Sequence, residues 1–133
     1  MPDWEAELAK RYISEVEGVP KSPSPISNAV VCGNICHISG QLSVYDEGYR
    51  PGTAREEAQR AFDLVFLIAQ AAGFKRSDIV YVDIAFTNLQ RDLPEVNALC
   101  SELFDPYPAR TIYEAAALPF GAKIKVQAIA QLD

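Results

Sequence analysis

The chain has 133 residues, 49% of them hydrophobic and 23% charged, the composition of one globular domain and not of a disordered segment. Twelve Lys and Arg against 18 Asp and Glu leave a net charge of -6, the wrong sign for a surface that neutralises nucleic-acid phosphates. Charged residues interrupt every apolar run well short of the roughly 18 residues that a spanning helix needs, which excludes a transmembrane helix.

In chain order, Asp3 is placed to cap a short helix carrying Trp4, Leu8 and Tyr12 on one side and ending near Gly18 and Pro20. Lys21-Ser22-Pro23-Ser24-Pro25 then reads as a proline-broken linker, so residues 1–23 are expected to be an N-terminal helix and linker. Ala29 to Cys32 and Ile35 to Ile38 flank Gly33-Asn34, a two-residue hairpin turn. After Ser39-Gly40-Gln41, Leu42 to Tyr45 reads as a further short strand, and Gly48, Pro51 and Gly52 mark a loop.

Thr53 with Glu56 three residues on forms a capping box, and Gly73 supplies the helix stop. Phe62, Val65, Ile68, Ala69 and Ala72 make an apolar stripe at helical spacing, the mark of a core face. Ile79 to Phe86 is strand-like around Asp83. A second capping box, Asp92 with Glu95, predicts a helix to about Phe104 with Val96, Leu99 and Leu103 inside. Asp105-Pro106-Tyr107-Pro108 breaks it, and two strands follow, Arg110 to Ala116 and Ala122 to Leu132.

One mixed sheet with two helices on one face, plus the short N-terminal helix, is the economical α+β arrangement. The other sheet face then needs a partner, and Ile124, Val126 and Ala128 are the apolar set expected to be buried there by self-association. Cys32, Cys36 and Cys100, an odd count without a secretory leader, point to a reducing cytoplasm. His37 is the single histidine and sits beside Cys36, so it is expected on the opposite side of the strand. That leaves too few ligands for zinc, and no metal site is expected. Arg110 is the side chain that draws notice: it follows two prolines that pin its loop and opens an apolar strand. A guanidinium held there can grip a carboxylate with two parallel hydrogen bonds.

Five ordered segments carry the reading further: Ile38-Ser39-Gly40-Gln41, Ala72-Gly73, Val96-Asn97 before Phe104, Pro108-Ala109-Arg110-Thr111, and Ala117-Leu118-Pro119 with Ile124-Lys125-Val126-Gln127-Ala128-Ile129-Ala130. With Ser27 and Ala29 they make residues 24–133 resemble the Rid family of reactive intermediate deaminases, also called YjgF. The resemblance implies a chorismate-mutase-like fold, a homotrimer with clefts between subunits, and hydrolysis of 2-imino or 2-enamino acids to 2-oxo acids and ammonia. It implies no metal or organic cofactor.

By that resemblance Arg110 clamps the substrate carboxylate, Ser39, Gly40 and Asn97 line the cleft, and the Ile112 carbonyl accepts a hydrogen bond from the attacking water. Gln127 stands where well-studied deaminases of the family carry a glutamate. It keeps a carbonyl acceptor but takes no proton at neutral pH. Ile26 replaces an aromatic residue beside the substrate, and Ile112 a common cysteine. Two readings follow, an imine deaminase and a non-catalytic trimer that binds a small carboxylate or 2-oxo acid. Nucleic-acid processing, a label often attached to the family, runs against the acidic charge.

Overall fold

The computed structural model describes residues 9–133. Among these residues eight strands run in chain order: β1 (Lys10–Ile13), β2 (Ala29–Cys32), β3 (Ile35–Gln41), β4 (Val44–Tyr45), β5 (Gly48–Tyr49), β6 (Ile79–Phe86), β7 (Ala109–Glu114) and β8 (Ile124–Gln131). Helix α1 (Ala54–Ala71) joins the β5 loop to β6, and α2 (Leu89–Leu103) joins β6 to β7. Six strands form one mixed sheet in the order β1-β2-β3-β8-β6-β7, while β4 and β5 pair separately. Only β6 and β7 are parallel, as a connection through a whole helix allows; the other neighbours are antiparallel.

The hairpin and α1 follow the sequence closely. Gly33 takes a φ of 58° at the first turn position, as a type II′ turn requires, and Cys32 pairs with Ile35. Thr53 Oγ1 accepts from the Glu56 N–H at 3.1 Å, and Glu56 Oε1 accepts from the Thr53 N–H at 2.9 Å. At the other end Gly73 has a φ of 96°, and the Phe74 N–H turns back onto the Ala69 carbonyl at 2.9 Å. The predicted stripe of Phe62, Val65, Ile68, Ala69 and Ala72 is buried against the sheet.

The expected course of the N-terminal helix beyond residue 9 is corrected. Its positions Asp3, Trp4 and Leu8 lie outside the described residues, but Lys10–Ile13 is an edge strand paired antiparallel to β2, and no helix continues to Gly18. Cross-strand hydrogen bonds to Ala29–Cys32 outweigh the helical spacing of Tyr12. The cap of α2 is also corrected. Asn88 Oδ1 accepts from the Arg91 N–H at 3.2 Å, so the helix starts at Leu89, and Asp92 is buried inside its first turns. Of the expected strand Leu42 to Tyr45, only Val44–Tyr45 pairs, with Gly48–Tyr49.

Both helices cover the same face of the sheet. Ile38, Val82, Ile84, Phe86, Val126 and Ala128 point into that layer and meet Phe62, Val65, Ile68, Val96 and Leu99. Each large side chain buried there contributes about 1.5–3 kcal/mol. Ile124, Val126 and Ala128 therefore belong to the core beneath the helices and are not left for self-association. Alternation instead puts Lys125, Gln127 and Ile129 on the opposite face, where Leu118 and Ala122 cover Ala85 at one end. His37 is exposed and Cys36 buried, as a pleated strand demands.

Sequence reading passed over Glu57. It falls on the buried stripe of α1, fully enclosed, and its carboxylate accepts from Tyr49 Oη (2.9 Å), Gly52 N (3.3 Å), Lys123 N (3.0 Å) and Lys123 Nζ (3.3 Å). One side chain thus ties the loop before α1, the helix and the entry to β8. The signal was its spacing, three residues after Ala54 and four before Ala61, both buried.

Candidate functional site

The expected site residues fall into two groups on opposite faces of the sheet. Arg110 pairs in register with Val82, a residue of the helix layer, so its side chain rises beside α2. Its Nη1 donates to Asn97 Oδ1 at 2.7 Å. Asn97 lies on the exposed flank of α2, one residue beyond the buried Val96, which explains how helical spacing delivers it to the end of the edge strand. Because one nitrogen is held by Asn97, the rest of the planar fork keeps a fixed orientation and remains available to an anion.

A cavity of about 330 Å³ opens at this pair, with Cys100, Phe104 and Tyr107 among its walls. Phe104 packs edge-on against Phe62 and Phe66, with centroids at 5.6 and 5.8 Å, which makes that wall part of the core. Burial pushes the Cys100 thiol above its usual range, with the Arg110 charge opposing the shift. Ile112, two residues on and on the same sheet face, is half-buried against the core. As an edge strand, however, β7 has main-chain groups without a ladder partner on its outer side.

Ser39, Gly40, Gln127 and Ile26 gather elsewhere, around a cavity of about 420 Å³. A β-bulge builds it. Ile38 pairs with Ala128 and Gln41 with Val126, so the two residues Ser39 and Gly40 stand opposite the single residue Gln127. Ser39 Oγ donates to the Ser27 carbonyl at 2.6 Å, which leaves the hydroxyl oxygen with acceptor capacity. Gln127 is exposed, and among the described residues its amide has no hydrogen-bond partner. Ile26 is 52% exposed on the loop before β2, forming an aliphatic wall. The segment read as a linker, from Lys21 to Ser24, also borders this cavity.

Phe120 completes the rim, and sequence reading did not single it out. It holds a left-handed φ of 64°, unusual for a residue with a Cβ, and stacks on Tyr49 with centroids 5.9 Å apart. Tyr49 in turn donates to Glu57, so the rim is braced from the core. Burial, reinforced by the hydrogen bond to Glu57, pushes the Tyr49 phenol up to about 12. Among the described residues, no group of three or more His, Cys, Asp and Glu is placed to hold a metal ion. No helix among them is long and apolar enough to cross a membrane.

These features define an α+β domain with a six-stranded mixed sheet, in which the expected site residues line two of the cavities, one of them presenting a guanidinium held by Asn97. The model of the family described as endoribonuclease L-PSP matches residues 17–132. The 2-iminobutanoate/2-iminopropanoate deaminase of Dermatophagoides farinae is 36% identical over 130 residues, covering 93% of this chain and 98% of the relative. The crystal structure of the YjgF gene product of Escherichia coli superposes with a TM-score of 0.86 at 33% identity, over 92% of this chain and 99% of that one. Another E. coli structure, TdcF with bound serine, gives a TM-score of 0.86 at 28% identity over 92% and 100%. The chain belongs to the Rid/YjgF/RutC (endoribonuclease L-PSP) family.

Proposed function

We propose that the protein hydrolyses 2-imino and 2-enamino acids to 2-oxo acids and ammonia, in a site shared between copies of the chain. The observation that carries this reading is the pairing of two incomplete half-sites. Arg110 held by Asn97 is a carboxylate clamp on one sheet face, and the Ser39–Gly40 bulge opposite Gln127 offers polar acceptors on the other. Neither half alone grips a substrate at both ends. The edge of one subunit laid against the open face of the next would bring them together, as in a homotrimer with clefts at its interfaces. The deaminase relatives support the same chemistry.

In this site the Arg110 fork fixes the carboxylate with two charge-assisted hydrogen bonds. The protonated imine is a donor, and Ser39 Oγ and Gln127 Oε1 are acceptors suited to it. Water held by Gln127 and the Ile112 carbonyl adds its oxygen to C2 and forms a carbinolamine. A proton passes from that oxygen to nitrogen, the C–N bond breaks, and ammonia leaves with its electron pair and takes up the remaining hydroxyl proton as ammonium, giving the 2-oxo acid. An iminium is already electrophilic, so orientation is the protein's main contribution. Ile26 and Phe120 flank the side chain of the substrate.

The deciding experiment follows decay of 2-iminobutanoate, generated in situ by a dehydratase, with and without the protein. Acceleration by the parent and its loss in Arg110→Ala is the expected result. Gln127, which cannot act as a base, favours one other reading: a trimer that binds 2-oxo acids and turns nothing over. Saturable binding of 2-oxobutanoate with no acceleration of any imine would select it.

A further inference from the structure

The cavity at the Ser39–Gly40 bulge has a charge character unlike that of the whole molecule. In a chain of net charge -6, its lining contains Lys21 and Lys125 and no Asp or Glu. Lys21 is paired at the surface with Glu15 at 2.9 Å. Lys125 forms no ion pair among the described residues. Its stem lies along Gly40: a Cβ there would stand 3.0 Å from Lys125 Cδ and 3.2 Å from Cγ. The backbone of Gly40 is not in the left-handed region, so the glycine serves as space, and the space is taken by this lysine.

Lys125 precedes Gln127 by two residues on β8, on the same sheet face, about 7 Å along the strand. The lysine stem leans onto Gly40, which stands opposite Gln127, so both side chains border one cavity and a short carbon spacer between two carboxylates would lie within it. Ile26 and Phe120, the apolar rim, would pack the spacer. We propose that Lys125 binds a second, distal carboxylate, so that the preferred substrates are 2-imino dicarboxylic acids. The inference rests on the deaminase reading for the word substrate; as a rule of ligand choice it depends only on this cavity.

The test measures calorimetric affinities of the full chain for 2-oxoglutarate and for 2-oxobutanoate, alongside kcat/KM for the two corresponding imines. The diacid is expected to bind about tenfold or more tightly than the monoacid, the effect of one hydrogen bond between charged groups. The preference should weaken with added salt. Lys125→Gln is expected to bring the ratio near one, and Lys125→Arg to keep most of it. Gly40→Ala, which displaces the lysine stem, is expected to lower it. A parent ratio of one or less, or a ratio that survives Lys125→Gln, overturns the proposal. Diacid preference without acceleration of either imine keeps the ligand rule and removes the deaminase reading; acceleration of 2-iminobutanoate with no diacid preference does the reverse.

Discussion

Arg110 and Gln127 stand two strands apart on opposite faces of one sheet: β6 lies between β7 and β8, and it pairs Val82 with Arg110 but Asp83 with Gln127. Successive residues of a strand point to opposite sides, so the one-residue offset separates the two side chains by the thickness of the sheet. A site that uses both must draw them from different copies. Mixed oligomers refolded from Arg110→Ala and Ser39→Tyr chains, each inactive alone, are therefore expected to recover a fraction of the parent rate. Recovery absent at every mixing ratio, with mixed oligomers verified by mass spectrometry, would contradict the shared site.

The bond from Arg110 to Asn97 sets a graded expectation. Arg110→Ala removes the clamp and should lower kcat/KM for 2-iminobutanoate by about 10²–10³-fold. Asn97→Ala leaves the charge but frees the fork, with an expected loss of about tenfold carried mainly by KM. Equal losses in the two variants would mean that Asn97 does more than orient its neighbour.

Gln127 leads to a gain of function. Gln127→Glu restores a proton acceptor at the bulge, and general base assistance contributes roughly 10²–10⁴-fold. A rise in kcat near neutral pH, together with a new acid limb in the pH profile, is expected. An unchanged, pH-flat rate would show that water addition here needs no base.

Glu57 is a matter of stability. Replacing it by Ala strips four donors of their acceptor, among them the Lys123 ammonium, inside the protein. The expected cost is about 3 kcal/mol in urea unfolding, since breaking a buried ionic network strands its remaining members. A loss below about 1 kcal/mol would mean that water takes over those contacts.

Alkaline pH should loosen the fold. Burial pushes the Cys36 thiol up to about 11 and is the larger cause of the rise of Tyr49 to about 12. Both groups hold their protons more firmly folded than unfolded. Their contribution is complete below the unfolded values near 9 and 10 and disappears as pH rises through 11 and 12. Urea midpoints are expected to fall between pH 9 and 12, and Tyr49→Phe should flatten the upper part of that fall.

What could be read from the chain alone divides along local and distant causes. The Thr53 cap, the Gly33-Asn34 turn and the stripe of α1 are settled by neighbours within a few residues, and they stand where the spacing put them. The strand at Lys10–Ile13 is settled by Ala29–Cys32, nearly twenty residues away, so its helical spacing misled. Asn88 lacks the reciprocal acidic partner that made Asp92 look like a cap. The family's motifs singled out Ser39, Gly40, Asn97, Arg110 and Gln127 individually as candidates. Their division between two faces required the register of β6 with both its neighbours.

A sheet is a repeating surface, and repetition gives a small ligand nowhere in particular to stop. The extra residue in β3 breaks the repeat at one point only, beside Gln127. Every other paired step between β3 and β8 matches one residue to one; this step matches two to one. For the proposed ligand the irregularity would therefore serve as an address on an otherwise periodic β3–β8 ladder. Restoring the regular ladder there by deleting one residue would erase the destination while leaving the sheet able to form.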